Sequence, residues 1–502
     1  MNNTHETTDV FTCYNPAEAG IPADSILSFL DCLDKYQVNM HSLLIMRHDK
    51  LVAEGYYAPY KADTLHRMFS ICKTLNALGI GLLKQEGKLN LDDPVIHYFP
   101  DKIMEPVHPW IAEMTIRNLL MMRTCHASTT YKNGAPKEWV ESFFTTAPTH
   151  KPGTVFHYDT SAAHVLCVLV ERLAKKPMLE YLKEKVLNTI GWSPQSYVLK
   201  NPYGDSQGGS GLMATPRDLL LLAKLLMQKG AFRGKQLLPR DYIEEMTSCL
   251  TPNAITGGVI SEAQGYGYQL WQTRYSGFVC YGMGGQLALC LPKHDLILVT
   301  TADTQGCGGG NDLIYNSFYE TILPALDTVS GASLEEAIST KKLEDRLKRL
   351  SLTSVRKWCH ATPGIKNITL TSSETCAAQI NGIKYHLMSN PQAFDHVCLS
   401  LTDQTGKFYF GANEKEYEIC FGLDSCVEGN YPIYDMHYAA SGMWLSKDTF
   451  YIKIHILDTS IGSVHIEFVF ANGEVTIFMK KIEETLLNEF SGHFHGYQEN
   501  HI

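Results

Sequence analysis

A charged stretch at 331–350, GASLEEAISTKKLEDRLKRL, divides the chain into two parts of different texture. Before it, apolar positions recur with helical spacing between Gly-rich connections and a few strand-like runs. After it, residues 366–490 carry short β-type runs: NITLTS, KFYFGA, TFYIKIHIL, VHIEFVF and EVTIFMK. Turn residues separate these runs at short intervals, the signature of an antiparallel barrel or sandwich. The expected organisation is an α+β domain over 18–330, a charged helical linker over 331–350 and an all-β accessory domain over 351–502. The 502 residues give each domain enough chain to bury its own core.

Within the first part, Ile26, Leu30 and Leu33 predict an amphipathic helix over 22–36, with Pro22 near its start. Residues 41–57 read as a hairpin around His48-Asp49-Lys50, and the pattern is helical from 68 to 86. Strands are expected near 277–290 and 295–301, joined by Pro292-Lys293-His294-Asp295.

Charge and composition exclude several functions. The 43 Lys+Arg against 53 Asp+Glu, a net −10, argue against nucleic acid as the main partner, because phosphate binding needs a surplus of cations. No run approaches ~18 apolar residues, so no membrane span is expected. The start, MNNTHETTDVFTCYNPAEAG, lacks a basic and then apolar leader, which gives a cytoplasmic expectation. The 14 cysteines are scattered, with no C-x-x-C pair or finger spacing, and read as free thiols in a reducing compartment.

Three segments carry chemistry. In Met68-Phe69-Ser70-Ile71-Cys72-Lys73, a serine opens a helix and a lysine follows one turn later on the same face. A serine hydroxyl needs a base to become a nucleophile, and a buried lysine amine can serve as one. In Pro152-Gly153-Thr154-Val155-Phe156-His157-Tyr158-Asp159-Thr160, a tyrosine sits in a loop before a buried helix. Its phenol is placed to relay a proton to a leaving group. In Cys280-Tyr281-Gly282-Met283-Gly284-Gly285-Gln286, a strand enters a glycine cluster and leaves as another strand. Such a site lets backbone approach a ligand, and an N–H there could join that of Ser70 in holding an oxyanion.

This order of motifs resembles the penicillin-recognising serine hydrolases. It is most similar to class C β-lactamases and their esterase, D-aminopeptidase and 6-aminohexanoate-oligomer hydrolase relatives. The resemblance covers roughly 18–328. Connecting segments support it: Leu91-Asp92-Asp93-Pro94-Val95, Thr115-Ile116-Arg117-Asn118-Leu119, Gly211-Leu212-Met213-Ala214-Thr215-Pro216 and Gly265-Tyr266-Gly267-Tyr268. It implies a β-lactamase-like fold, an antiparallel sheet flanked by helices plus an all-helical lobe. It also implies Ser70 as acylated nucleophile, Lys73 as its activator and Tyr158 as partner acid/base. The N–H groups of Ser70 and Met283 would form the oxyanion hole. Tyr281, Gly282, Gly284, Thr160 and Trp271 are candidates for the substrate pocket. No cofactor and no metal are expected.

Two departures matter. The tyrosine motif ends in Thr160 where the family often has asparagine. Neutral Cys280 stands where the family usually has lysine or histidine. Without that cation, a substrate carboxylate loses a charge-assisted contact of roughly 1.5–3 kcal/mol. Ester or amide hydrolysis therefore ranks above β-lactamase or D-peptidase activity, with a small ester or amide as partner. An acyltransferase using the same acyl-enzyme and a weakly active acyl-binding sensor stay open as alternatives. Cys280 and Cys72 read as packing, His493 and His495 as surface histidines on one strand face, and His97, His108 and His126 as structural. No sequence feature bears on oligomeric state.

Overall fold

The computed structural model describes residues 9–132, 137–255, 259–329, 333–361, 380–431 and 433–498, so NITLTS at 367–372 lies outside the described residues. The chain forms two compact units. One comprises Met1–Leu33, Met40–Thr304 and Gly308–Leu350; the other comprises Asp34–Asn39, Gln305–Cys307 and Ser351–Ile502.

In the first unit, helix α1 (Ala23–Lys35) buries Ile26, Phe29, Leu30 and Leu33 on one face. Strands β1 (Asn39–Arg47) and β2 (Lys50–Tyr56) pair antiparallel. His48 and Asp49 between them take φ of +52° and +60°, the left-handed pair a tight hairpin requires. Helices α2 (Ile71–Gln85) and α3 (Thr160–Ala174) pack against each other. Helix α4 (Pro216–Met227) starts at a capping box between Thr215 and Asp218.

Strands β3 (Trp271–Thr273), β4 (Gly277–Gly282), β5 (Gln286–Leu291) and β6 (Leu296–Asp303) complete a six-stranded sheet in the order β2-β1-β6-β5-β4-β3. The stretch 277–290 is two antiparallel strands rather than one. Gly284 and Gly285, at φ +84° and +92°, reverse the chain between them. Helix α5 (Asp312–Thr321) follows β6. The charged segment forms helix α6 (Leu334–Leu347) and packs within the first unit. Its Glu336 carboxylate accepts the Ala23 N–H at 2.9 Å, and Leu343 is buried.

The second unit is a closed barrel. Its strands are β7 (Lys384–Leu387), β8 (Phe394–Leu401), β9 (Thr405–Ala412), β10 (Lys415–Gly422), β11 (Val427–Tyr431), β12 (Met436–Trp444), β13 (Thr449–Leu457), β14 (Ile461–Ala471), β15 (Glu474–Ile482) and β16 (Gly492–Gln498). The order is β10-β9-β8-β7-β16-β15-β14-β13-β12-β11. A bridge between Gly422 and Ser441 joins β10 to β12, closing nine strands into a ring with β11 on its margin. Alternation drives this packing. Along β15, Val475, Ile477 and Met479 point inward while Thr476, Phe478 and Lys480 face solvent. Phe408, Phe410, Ile452, Ile466 and Phe468 fill the interior. Among the described residues, no helix is long and apolar enough to cross a membrane, and the cysteines are free thiols.

Candidate active site

Ser70 is the N-cap of α2, with helical φ/ψ of −67° and −6°. Its hydroxyl makes no capping bond; it accepts instead from Lys73 Nζ at 2.8 Å. One turn of helix sets this pair, as the spacing requires. Lys73 is 1% exposed, and its Nζ also donates to the Gly209 carbonyl at 2.6 Å. The next residue on that face, Asn76, donates to the Ala163 and Gly208 carbonyls at 2.9 and 2.8 Å, binding α2 to α3 and to the 207–211 loop. Phe69, just before Ser70, takes φ +46°. Such a conformation costs a bulky residue about 1–3 kcal/mol. Neighbours hold it: Phe69 bridges to Gly211, and the Met68 N–H donates to Leu212 O at 2.9 Å.

The Tyr158 loop brings its ring over this pair, with Lys73 Nζ 5.0 Å from the ring centroid. Burial raises the phenol above the usual tyrosine range. A hydrogen bond with Ser70 acts the other way, while the charge of Glu262 adds to the rise. Asp159 caps α3 through the Ser161 N–H at 2.8 Å. Thr160 begins that helix, and its methyl group abuts Gly209, where an added Cβ would lie 2.3 Å away. A side chain at Gly209 would push against Thr160 and disturb the loop that presents its carbonyl to Lys73.

The third segment closes on α2 through backbone. A Cβ on Gly282 would sit 2.3 Å from the Met68 carbonyl oxygen, so β4 runs directly against the residues that lead into Ser70. All three carbonyls of the Met283–Gly285 turn are tied down. Met283 O accepts from Gln286 Nε2 at 2.7 Å, Gly284 O from the Thr304 N–H at 3.0 Å and Gly285 O from Thr300 Oγ1 at 2.8 Å. Gln286 is fully buried and also bonds both backbone groups of Ala302, at 3.0 and 2.9 Å. Among the described residues, no acceptor meets the backbone N–H of Ser70 or Met283. Cys280 is buried, its thiol meets the Thr74 hydroxyl, and burial pushes its pKa up to about 12.

An aromatic wall stands beside the pair. Trp271 packs on Tyr158 at 5.2 Å between centroids and on Tyr281 at 5.7 Å. Ser70, Lys73, Tyr158, Trp271, Tyr281 and Gly282 thus converge. His493 and His495 lie elsewhere, on β16: His493 stacks on Phe478, and His495 pairs with Glu474. Glu138, His164 and Asp205 place ligand-type atoms within 4.8 Å of one another. The Glu138 carboxylate is already occupied by Lys102 and by the Val140 and Glu141 N–H groups.

Sequence reasoning missed Gly209, Asn76 and Glu262, and read Gln286 only as the end of the glycine-rich motif. Only Asn76 carried a signal, its helical spacing from Ser70 and Lys73. Gly209 and Glu262 reach the site from separate segments.

Comparison with known proteins identifies the family and the fold. A family model described as Beta-lactamase matches residues 29–312. The 6-aminohexanoate-dimer hydrolase of Paenarthrobacter ureafaciens is 22% identical over 307 residues, covering 57% of this chain and 78% of that protein. Two solved structures share the fold, each at 19% identity and a TM-score of 0.50. One, from Bacillus anthracis, is a candidate 6-aminohexanoate-dimer hydrolase covering 58% of this chain and 79% of its own. The other, from Bacteroides dorei, is a candidate beta-lactamase covering 59% and 97%.

Proposed function

This chain belongs to the beta-lactamase family, and on that premise we propose that it is a serine hydrolase cleaving a small ester or amide through an acyl-enzyme on Ser70. The observation that carries this reading is the 2.8 Å contact between Ser70 Oγ and the buried Lys73 Nζ, with Tyr158 over the amine.

As a neutral amine, Lys73 keeps its N–H bond to Gly209 and turns its lone pair to the Ser70 hydroxyl. Ser70 Oγ bonds to the substrate carbonyl carbon while its proton passes to Lys73. The carbonyl π pair becomes an oxyanion held by the Ser70 and Met283 N–H groups. Tyr158 rests as a neutral phenol, as its raised pKa requires, and can protonate the departing oxygen or nitrogen. The Lys73 proton then restores the phenol. Water repeats the sequence on the acyl group and frees the acid.

Neutral Cys280 gives a substrate carboxylate no cation, which favours uncharged esters and linear amides over β-lactams. The relative named 6-aminohexanoate-dimer hydrolase supports including linear amides.

The test is fluorophosphonate labelling with peptide mapping, then turnover of short esters, linear amides, D-amino acid amides and a chromogenic cephalosporin. Ser70 carries the label, and Ser70→Ala abolishes turnover. Label on another residue, or turnover surviving in Ser70→Ala, refutes the assignment. Preferential cephalosporin hydrolysis refutes the weight placed on Cys280.

A further inference from the structure

Beside the aromatic wall lies a carboxyl that the acyl transfer leaves without a task. Glu262 is 6% exposed, on the short turn Ile260–Glu262. A carboxylate held this deep ordinarily faces a cation. Here its hydrogen-bond partner is an amide: Asn311 Nδ2 donates to Glu262 Oε1 at 3.2 Å. Asn311 Oδ1 accepts from Thr304 Oγ1 at 2.7 Å, and the Thr304 N–H donates to Gly284 O at 3.0 Å. Tyr281 also bonds Asn311. A hydrogen-bonded chain therefore runs from Glu262 into the Met283–Gly285 turn and into the wall of the site.

The ionisable groups around Glu262 come from several elements. Helix α5 supplies Asp312, which accepts the Ile260 and Ser261 N–H groups at 3.2 and 3.3 Å, and buried Tyr315. Strand β4 supplies Tyr281, and the loop before α3 supplies Tyr158. Strand β3 packs on the same turn and carries no ionisable side chain. Burial, with Asp312 adding to it and Asn311 opposing, raises the Glu262 carboxyl to about 7. When ionised, Glu262 acts on all three phenols and holds them protonated.

We infer that Glu262 is a positioning residue of the acyl site, anchoring the oxyanion turn and Tyr281 through Asn311 and tuning Tyr158 by its charge. The inference rests on the serine-hydrolase reading above. With Glu262 protonated, Tyr158 exchanges its proton more readily; with Glu262 ionised, the phenol holds it.

The test is the second-order rate of fluorophosphonate modification of Ser70 across about pH 6 to 8.5. Glu262→Gln keeps an acceptor for Asn311 and cannot ionise. Its rate relative to wild type rises from near one at about pH 6 to about tenfold at about pH 8.5, the effect of one nearby charge. Glu262→Asp, still ionisable, keeps the wild-type profile. Glu262→Leu breaks the anchor and labels more slowly at every pH, with a melting curve showing that it is folded. A flat Gln-to-wild-type ratio overturns the tuning role, and a folded Leu variant labelling at the wild-type rate overturns the anchoring role. Wild-type protein unlabelled at Ser70 overturns the hydrolase reading instead, so the two failures are distinct.

Discussion

Gly282→Ala is the sharpest test of the proposed oxyanion geometry. The new methyl would lie 2.3 Å from Met68 O and 2.8 Å from the Gln286 Cβ. To reach an ordinary contact of 3.4 Å, the Met68 oxygen and strand β4 must part by roughly 1 Å. Met68 O also accepts the Ile71 N–H at 3.2 Å, so the opening is felt in the first turn of α2. The turn has little slack to absorb it, because its three carbonyls are all hydrogen-bonded. On the proposed reading, the Met283 N–H then shifts by a comparable distance relative to Ser70. A 1 Å misplacement costs about 10²-fold in rate, and full loss of one donor costs about 10²–10³. Overpacking adds about 1–3 kcal/mol of destabilisation. The assay is kcat on a p-nitrophenyl ester, paired with a melting curve. Gly308→Ala is the control, since a Cβ there meets nothing within 4 Å. If folded Gly282→Ala retains activity within about threefold of wild type, Met283 is not the donor.

Three further outcomes follow from the same contacts. Gln286→Leu strands Met283 O and both Ala302 backbone groups, each worth about 1–3 kcal/mol when buried unpaired; denaturant unfolding shows the loss, and ester turnover falls with it. Burial holds the Asp159 carboxyl up at about 6 against 3.8 for the free side chain. Its contribution is then fullest below about pH 4 and is lost as pH rises through about 6. Asp159→Asn keeps the helix cap and flattens stability over that window, and an unchanged slope in thermal melts would refute the assignment. Phe408→Ala removes a fully buried ring that packs on Phe410 and Phe468 at 5.3 Å, so the barrel loses about 3–5 kcal/mol, read as a shift of its urea transition.

The legible parts of the molecule were those with a local period. Ser70 and Lys73 announce themselves because one helix carries both, and Tyr158 because its loop precedes an apolar helix. Strands such as Thr449–Leu457 could be read because their first half alternates between buried and partly exposed residues. Met436–Trp444 could not, because all but one of its residues are buried and the sequence MHYAASGMW shows no alternation. Gln286 was legible as the end of the glycine-rich motif, but nothing in the sequence showed that its amide fixes a turn three residues away. Glu262 and Gly209 are joined to the site only by tertiary contacts, which leave no trace in spacing.

The three locked carbonyls separate two properties that might otherwise change together. In the proposed mechanism the oxyanion donors are main-chain N–H groups, whereas Trp271 and Tyr281 line the site with side chains. On that reading, exchanging the Trp271 ring reshapes the acyl pocket while the turn, held by Gln286, Thr300 and Thr304, keeps its place.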